Sequence, residues 1–430
     1  NSVIVIENKK SFKALNQNSN DADIKDLIYK VNKNKIIEFN KNLFKDEYLC
    51  ICSGGTTSSC AKNNQITVDL RRNYKQISYD NNTGVATIGG GVLMGDLLNY
   101  LEKFNRMFPI GLSKLPGIGY ILTGGISPLS KRYGLAIDNL LNVKGFFGNG
   151  DFFSLDINNL NKKEIPIWEG FKGAAPFFSI ITEVAIQTFE NFPIQVFDGF
   201  VEEDELKELI AISETFPRNF SFQFIFSDTI YVYIVEELKT EEEKNLAQKY
   251  ASIFQRFPSL KNKIYRNLNQ INFFPKELNM FELNANFHSE VISLLGKSLK
   301  GYESEFVEEL IEINAAKPNK ACYAAIQQLG DQSMFENKYS SYFIHREACW
   351  KPWIFASWEK NNNHDKKLVI NWMNEAWNKL RRFFPYIHLA QLHNHLNSHQ
   401  DELKLAFGSK LDELKDLKRI YDPSNILPPL

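Results

Sequence analysis

Residues 119–139 read Gly-Tyr-Ile-Leu-Thr-Gly-Gly-Ile-Ser-Pro-Leu-Ser-Lys-Arg-Tyr-Gly-Leu-Ala-Ile-Asp-Asn. Glycines bunch at Gly117, Gly119, Gly124 and Gly125, and a polar tail follows at Lys131, Arg132, Asp138 and Asn139. Glycine tolerates positive φ and puts no Cβ between the main-chain N–H groups and an anion, so such a run can form a concave donor surface. It suits a diphosphate. Plain turns use the same residues, so the stretch needs a second signal.

That signal lies upstream. Cys52-Ser53-Gly54-Gly55-Thr56-Thr57-Ser58-Ser59 follows the apolar run 48–51 and leads to the strand-like Ile66-Thr67-Val68-Asp69-Leu70. Its hydroxyls and bare amides could hold phosphate oxygens. Residues 76–80 and 85–89, separated by Asn81-Asn82-Thr83-Gly84, predict a β-hairpin. Residues 94–104 carry Leu97, Leu98 and Leu101 on one side of a predicted helix. Two glycine loops flanking strands and a helix point to a nucleotide cofactor.

The order Ser-Gly-Gly, Val-Asp-Leu, Gly-Gly-Gly-Val-Leu-Met-Gly-Asp-Leu-Leu and Gly-Gly-Ile-Ser-Pro-Leu-Ser-Lys-Arg-Tyr-Gly-Leu-Ala-Ile-Asp-Asn-Leu-Leu resembles the FAD-binding half of the vanillyl-alcohol-oxidase superfamily. Within it, the chain is most similar to berberine-bridge-enzyme-like oxidases. Phe343-Ile344-His345-Arg346, the 350–358 strand and the ending Lys418-Arg419-Ile420-Tyr421-Asp422-Pro423-Ser424-Asn425 extend the likeness to the C-terminal part. The resemblance implies an α+β, two-lobed fold of the PCMH type with an antiparallel-sheet substrate cap: residues 1–192 binding FAD, 193–384 forming the cap, 385–430 returning to the first lobe. It implies cofactor contacts at Ser53, Gly54, Gly55, Thr56, Thr57, Ser58 and Asp69 in the first loop region. In the second they fall at Pro116, Gly117, Gly119, Thr123, Gly124, Gly125, Ser127 and Asp138, and beyond it at Gly173, Ala174, Ile180 and Ile181.

Departures from the family pattern are equally informative. The residue after Ser-Gly-Gly, usually a histidine bonded to the flavin, is Thr56, and Leu115 stands where a second, cysteinyl anchor often sits before Pro116. Non-covalent FAD is therefore expected. Ile126 and Pro128 replace two glycines of the second loop, and Ala174 and Ala175 replace two more near the expected flavin wall.

The 430 residues are 43% hydrophobic and 13% aromatic, enough for large cores and two lobes. Lys plus Arg number 50 against 51 Asp plus Glu, and no long basic run provides an electrostatic footprint for nucleic acid. No apolar stretch approaches bilayer-spanning length. Five cysteines, at 50, 52, 60, 322 and 349, fit a reducing compartment, and with no leader pattern in residues 1–10 a cytoplasmic location is expected.

After Pro193 the chain changes character. Residues 204–216 predict a helix, 219–226 and 230–236 paired strands, and 240–257 a helix opened by a capping box of Thr240 and Glu243. An antiparallel sheet with helices on one face follows, as a cap would need. Along 322–329, alternation puts Tyr323, Ala325 and Gln327 on one face, a phenol and an amide that suit a substrate pocket or an ordinary half-buried sheet.

Histidines crowd at His388, His393, His395 and His399, but no further cysteine or acidic residue stands at metal-ligand spacing, so no metal site is expected. By resemblance, a Tyr-x-Asn motif that deprotonates the substrate hydroxyl maps here onto Leu389 and Gln391. The tyrosine base is missing. His393, on the strand face of Gln391, becomes the expected replacement, since imidazole titrates near neutral pH, with Tyr323 second. Arg346 either pins the lobes together or holds an anionic substrate. The expected function is oxidation of an alcohol, a sugar or secondary-metabolite hydroxyl, by hydride transfer to FAD, with oxygen or another acceptor taking the electrons. The alternative is a degenerate homologue that binds flavin or ligand without turnover.

Overall fold

The computed structural model describes residues 3–7, 11–14, 21–32, 48–56, 60–61, 66–278, 287–389 and 399–430. Strands β1 (Val3–Glu7), β2 (Ser11–Ala14), β3 (Cys50–Cys52) and β4 (Ile66–Asp69) form one sheet in the order β2-β1-β4-β3, with β3 parallel to β4. Helix α1 (Asp21–Asn32) buries Ile24, Leu27 and Ile28 in a small core with Val68, Leu70, Phe146 and Ile180.

The hairpin forms where turn chemistry places it, between β5 (Ile77–Asp80) and β6 (Val85–Gly89). The Asp80 carboxylate accepts hydrogen bonds from the Asn82 N–H (2.9 Å) and the Thr83 hydroxyl (2.8 Å), and Gly84 adopts φ +71°. Helix α2 (Met94–Glu102) buries Met94, Leu97, Leu98 and Leu101, the apolar side read from the sequence, and β7 (Arg106–Met107) follows it. Two short helices, α3 (Gly119–Leu122) and α4 (Ser130–Tyr133), carry the second glycine stretch toward β8 (Leu140–Phe147) and β9 (Phe152–Asp156). Helix α5 (Ile165–Ala174) then leads into β10 (Ser179–Gln187). The second sheet is antiparallel, in the order β5-β6-β10-β8-β9, and β11 (Phe189–Glu190) pairs with β7.

A third sheet of eight strands follows. It contains β12 (Ile194–Val201), β13 (Phe220–Phe226), β14 (Ile230–Glu237), β15 (Lys261–Tyr265), β16 (Phe287–Leu295), β17 (Tyr323–Gln328), β18 (Trp350–Glu359) and β19 (Tyr386–Ile387). Their spatial order is β15-β12-β14-β13-β17-β18-β16-β19, antiparallel throughout. Helices α6 (Glu203–Ser213), α7 (Glu241–Phe254), α8 (Glu303–Ala315) and α9 (Asn363–Leu380) accompany it. One face meets α7 and α8 through Phe197 against Phe254 and Phe224 against Phe306. The capping box at α7 is as expected: Thr240 Oγ1 accepts from the Glu243 N–H (3.2 Å) and Glu243 accepts from the Thr240 N–H (3.1 Å). Finally α10 (His399–Phe407) and α11 (Lys410–Tyr421) return to the first lobe, where α11 packs against α5 and Leu49 N–H donates to the Ile426 carbonyl (2.6 Å). Among the described residues no helix is long and apolar enough to cross a membrane.

Candidate active site

The two glycine loops are interlocked. A Cβ on Gly54 would run into the Gly117 nitrogen and lie 2.9 Å from the Pro116 carbonyl carbon, while one on Gly117 would run into the Ser53 hydroxyl. Real Cβ atoms do not approach so closely, so both positions demand glycine for space. Ser53 staples this junction, donating to the Gly90 carbonyl (2.6 Å) and accepting from the Ile118 N–H (2.9 Å). Its hydroxyl is thus engaged in holding the loops together. Among the described residues, the N–H groups of Gly54, Gly55 and Gly117 have no hydrogen-bond partner. Gly55 sits at φ +75°, over Arg71.

Together these loops border a cavity of about 290 Å³. Ser53, Gly54, Gly55, Thr56, Pro116, Gly117, Gly119 and Thr123 all line it, as do Gly125, Gly173 and Ile181. The remaining expected cofactor residues are placed otherwise. The Asp69 carboxylate receives the Arg71 guanidinium (2.7 and 2.9 Å), which holds its pKa below the usual range despite burial. Asp138 is buried in an ion cluster, taking two bonds from Arg346 (2.7 and 2.9 Å) with the Lys172 ammonium 3.5 Å away. Ser127 accepts from the Leu129 N–H (3.1 Å), Ala174 is core, and Ile180 points into the small core beside α1 because β10 alternates. Gly124, at φ +137°, makes room for His388 and Phe343. Thr57 and Ser58 lie outside the described residues.

Arg346, read as either a lobe pin or a substrate clamp, is a pin here. Besides Asp138 it donates to the carbonyls of Phe343 (3.1 Å) and Ser333 (3.3 Å) and to the Ser341 hydroxyl (2.8 Å), and it does not border the cavity. Tyr323 stacks on Phe355 (ring centroids 4.9 Å apart) and burial pushes its phenol well above its ordinary pKa; it too is absent from the cavity wall. Gln327 is buried on the same sheet face. Gln391 and His393 lie outside the described residues.

Three side chains on the cavity were given no catalytic role in the sequence reading. His388, just past β19, donates from Nε2 to the Thr123 carbonyl (2.8 Å), which fixes the tautomer and leaves a buried Nδ1 lone pair without a partner among the described residues. Burial first and the Lys351 charge second depress its pKa to about 3, while the Thr123 contact opposes them. Lys351, on β18, is driven by burial down to about 8. A lone lysine among Trp350, Pro352, Trp353 and Phe355 was the available signal: alternation turns Lys351, Trp353 and Phe355 to one side, and the cavity is on that side. Cys60 accepts a hydrogen bond from Cys52, which lowers its pKa to about 7 and raises that of Cys52. The two thiols stand eight positions apart in sequence, on either side of the first glycine loop.

The FAD binding domain family matches residues 42–156. The (R)-6-hydroxynicotine oxidase of Paenarthrobacter nicotinovorans is 33% identical over 137 residues, 32% of this chain. The match spans 29% of that oxidase's own length, and 33% and 35% of two fungal FAD-linked oxidoreductases. A carbohydrate oxidase of Microdochium nivale is 21% identical over 392 residues, 85% of this chain and 77% of its own. Among solved structures, berberine bridge enzyme from Eschscholzia californica superposes with a TM-score of 0.70 at 16% identity, covering 95% of this chain and 87% of its own. The glycine junction that admits no Cβ, the amides beside it without a described partner and the cavity they border all fit a dinucleotide. Residues 42–156 therefore match the FAD binding domain family, and the chain has the fold of berberine bridge enzyme.

Proposed function

We propose that this protein is an FAD-dependent oxidoreductase that oxidises an alcohol at its carbinol carbon. The observation that carries this reading is His388: a neutral imidazole on the wall of the same cavity that the glycine loops border, whose buried Nδ1 has no partner among the described residues. FAD supplies a hydride acceptor there. The protein supplies the rest: Gly54, Gly55 and Gly117 amides for the diphosphate, Ile181 and Gly173 as close-packed walls, and His388 Nδ1 to take the hydroxyl proton as the C–H bond breaks. Its tautomer is set in advance, so no ring reorientation precedes proton transfer.

The flavin is held non-covalently in this reading, because Thr56 offers no imidazole and the Leu115 side chain is turned to solvent, 64% exposed. Residues 1–192 form the cofactor lobe, 193–384 the cap and 385–430 the return. A titratable pair on the cavity, His388 with Lys351, favours turnover over the non-catalytic alternative. The test is to reconstitute the protein with FAD, precipitate it with acid and follow anaerobic bleaching with polyols. Yellow supernatant and substrate-dependent bleaching are expected. Colour retained on the pellet overturns the non-covalent assignment, and Cys50→Ala and Cys60→Ala variants then show whether either thiol on the described cavity wall is the anchor.

A further inference from the structure

Lys351 is the only charged side chain among the described residues that line the cavity, and no described residue pairs with it. Burying an ammonium without a counter-ion is costly, and proteins retain such groups where a ligand supplies the anion. Next to it, the register pairs Gln327 with Lys351 and Gln223 with Gln327, so the three side chains stand in a row on one face of adjacent strands. Both amides are buried, and Gln223 Nε2, Gln223 Oε1 and Gln327 Nε2 lack hydrogen-bond partners among the described residues. Native structures rarely leave so many polar atoms unsatisfied together.

We propose that Lys351 determines substrate specificity by binding a carboxylate, with Gln327 as its neighbouring amide donor, so that the substrate is a hydroxy acid of the uronic or aldonic type. The inference rests on the oxidoreductase reading above and names its substrate class. A carboxylate fits better than a phosphate ester, because one ammonium balances one negative charge and a phosphate brings nearly two. The same ion pair serves the chemistry. The Lys351 charge helps depress the basicity of His388, and a bound carboxylate cancels that field, making Nδ1 a stronger acceptor only when the anionic substrate is in place.

The experiment compares D-gluconate with D-glucitol, equally long polyols that differ in the carboxylate, on FAD-loaded wild type, Lys351→Met and Lys351→Gln. Calorimetry reads binding, and anaerobic flavin bleaching reads turnover. Gluconate binding at least tenfold tighter than glucitol in wild type, with the preference lost in both variants and FAD affinity unchanged, supports the proposal. Equal binding of the two polyols, a preference that survives loss of the ammonium, or a large drop in FAD affinity in both variants overturns it; the last would assign Lys351 to the cofactor. Gluconate preference without bleaching by either compound sinks the oxidoreductase reading and leaves the anion site standing. Thermal melting of each variant establishes that it is folded.

Discussion

The two walls of the cavity are built on opposite logic. On the cofactor side, Gly54, Gly55 and Gly117 contribute backbone and the absence of side chains; the one hydroxyl, Ser53, is fully engaged in stapling the loops. On the cap side, β18 contributes a long cationic side chain, Lys351, with no described partner, and the register sets Gln327 of β17 beside it. One wall offers bare backbone; the other offers side chains. The first should respond to substitution all-or-none through cofactor binding, and the second by degrees through chemistry and specificity.

The sharpest test lies at the glycine junction. Gly54→Val and Gly117→Val are expected to abolish FAD binding by visible absorbance, because a side chain must displace backbone across the junction, whereas Gly119→Ala should still fold, since nothing lies within 4 Å of a Cβ there. If Gly54→Val binds FAD normally, the first wall is not what forms the cradle. Next in size, His388→Ala should slow anaerobic flavin reduction by roughly 10² to 10⁴ while FAD affinity barely moves. Loss of both together would mean that the cap side serves binding as well.

Arg346→Met removes the bidentate partner of a buried carboxylate, Asp138, and leaves Lys172 beside it, so it should cost about 2–3 kcal/mol in chemical denaturation while the KM of the folded enzyme stays put. A raised KM at full stability would return Arg346 to the substrate site. The smallest effect concerns the helix-covered face of the cap. Glu236 there is fully buried with both oxygens unpartnered, and burial, aided by Glu243, raises its pKa from 4.5 to about 9. The native state therefore holds a proton that the unfolded chain releases, so this group's stabilisation is complete below pH 4.5 and is lost as pH rises toward 9. Glu236→Gln should gain roughly 1–3 kcal/mol over wild type at pH 8 and much less at pH 5. Equal gains at both values would show that the acid is solvated.

The same division explains what was legible in the sequence. The β5–β6 hairpin, helix α2 and the Thr240–Glu243 capping box are decided by residues within a few positions of one another, and the sequence predicts all three closely. The glycine loops are legible because glycine clusters are a local signal of close backbone approach. Asp69 and Asp138, expected from the resemblance to contact the cofactor, pair with Arg71 and Arg346, and no local pattern announces that the partner of Asp138 lies 208 residues away. Lys351 and His388 converge only when β18 and the turn after β19 are brought against Thr123, a contact spanning 265 positions. Strand β15, with Lys261, Asn262 and Lys263 exposed, has no alternating apolar signal to read.

The cavity wall runs from Tyr48 to Pro428 and takes residues from Leu70, Ile181 and Lys351 on the way. The stretch that matches the FAD binding domain, residues 42–156, supplies both glycine loops but neither Ile181, Lys351, His388 nor Pro428. Modularity by descent is therefore not modularity by construction. An excised 42–156 fragment would present glycine loops with nothing opposite them, and splicing that stretch into a foreign scaffold would transplant the recognisable signature while leaving the container behind.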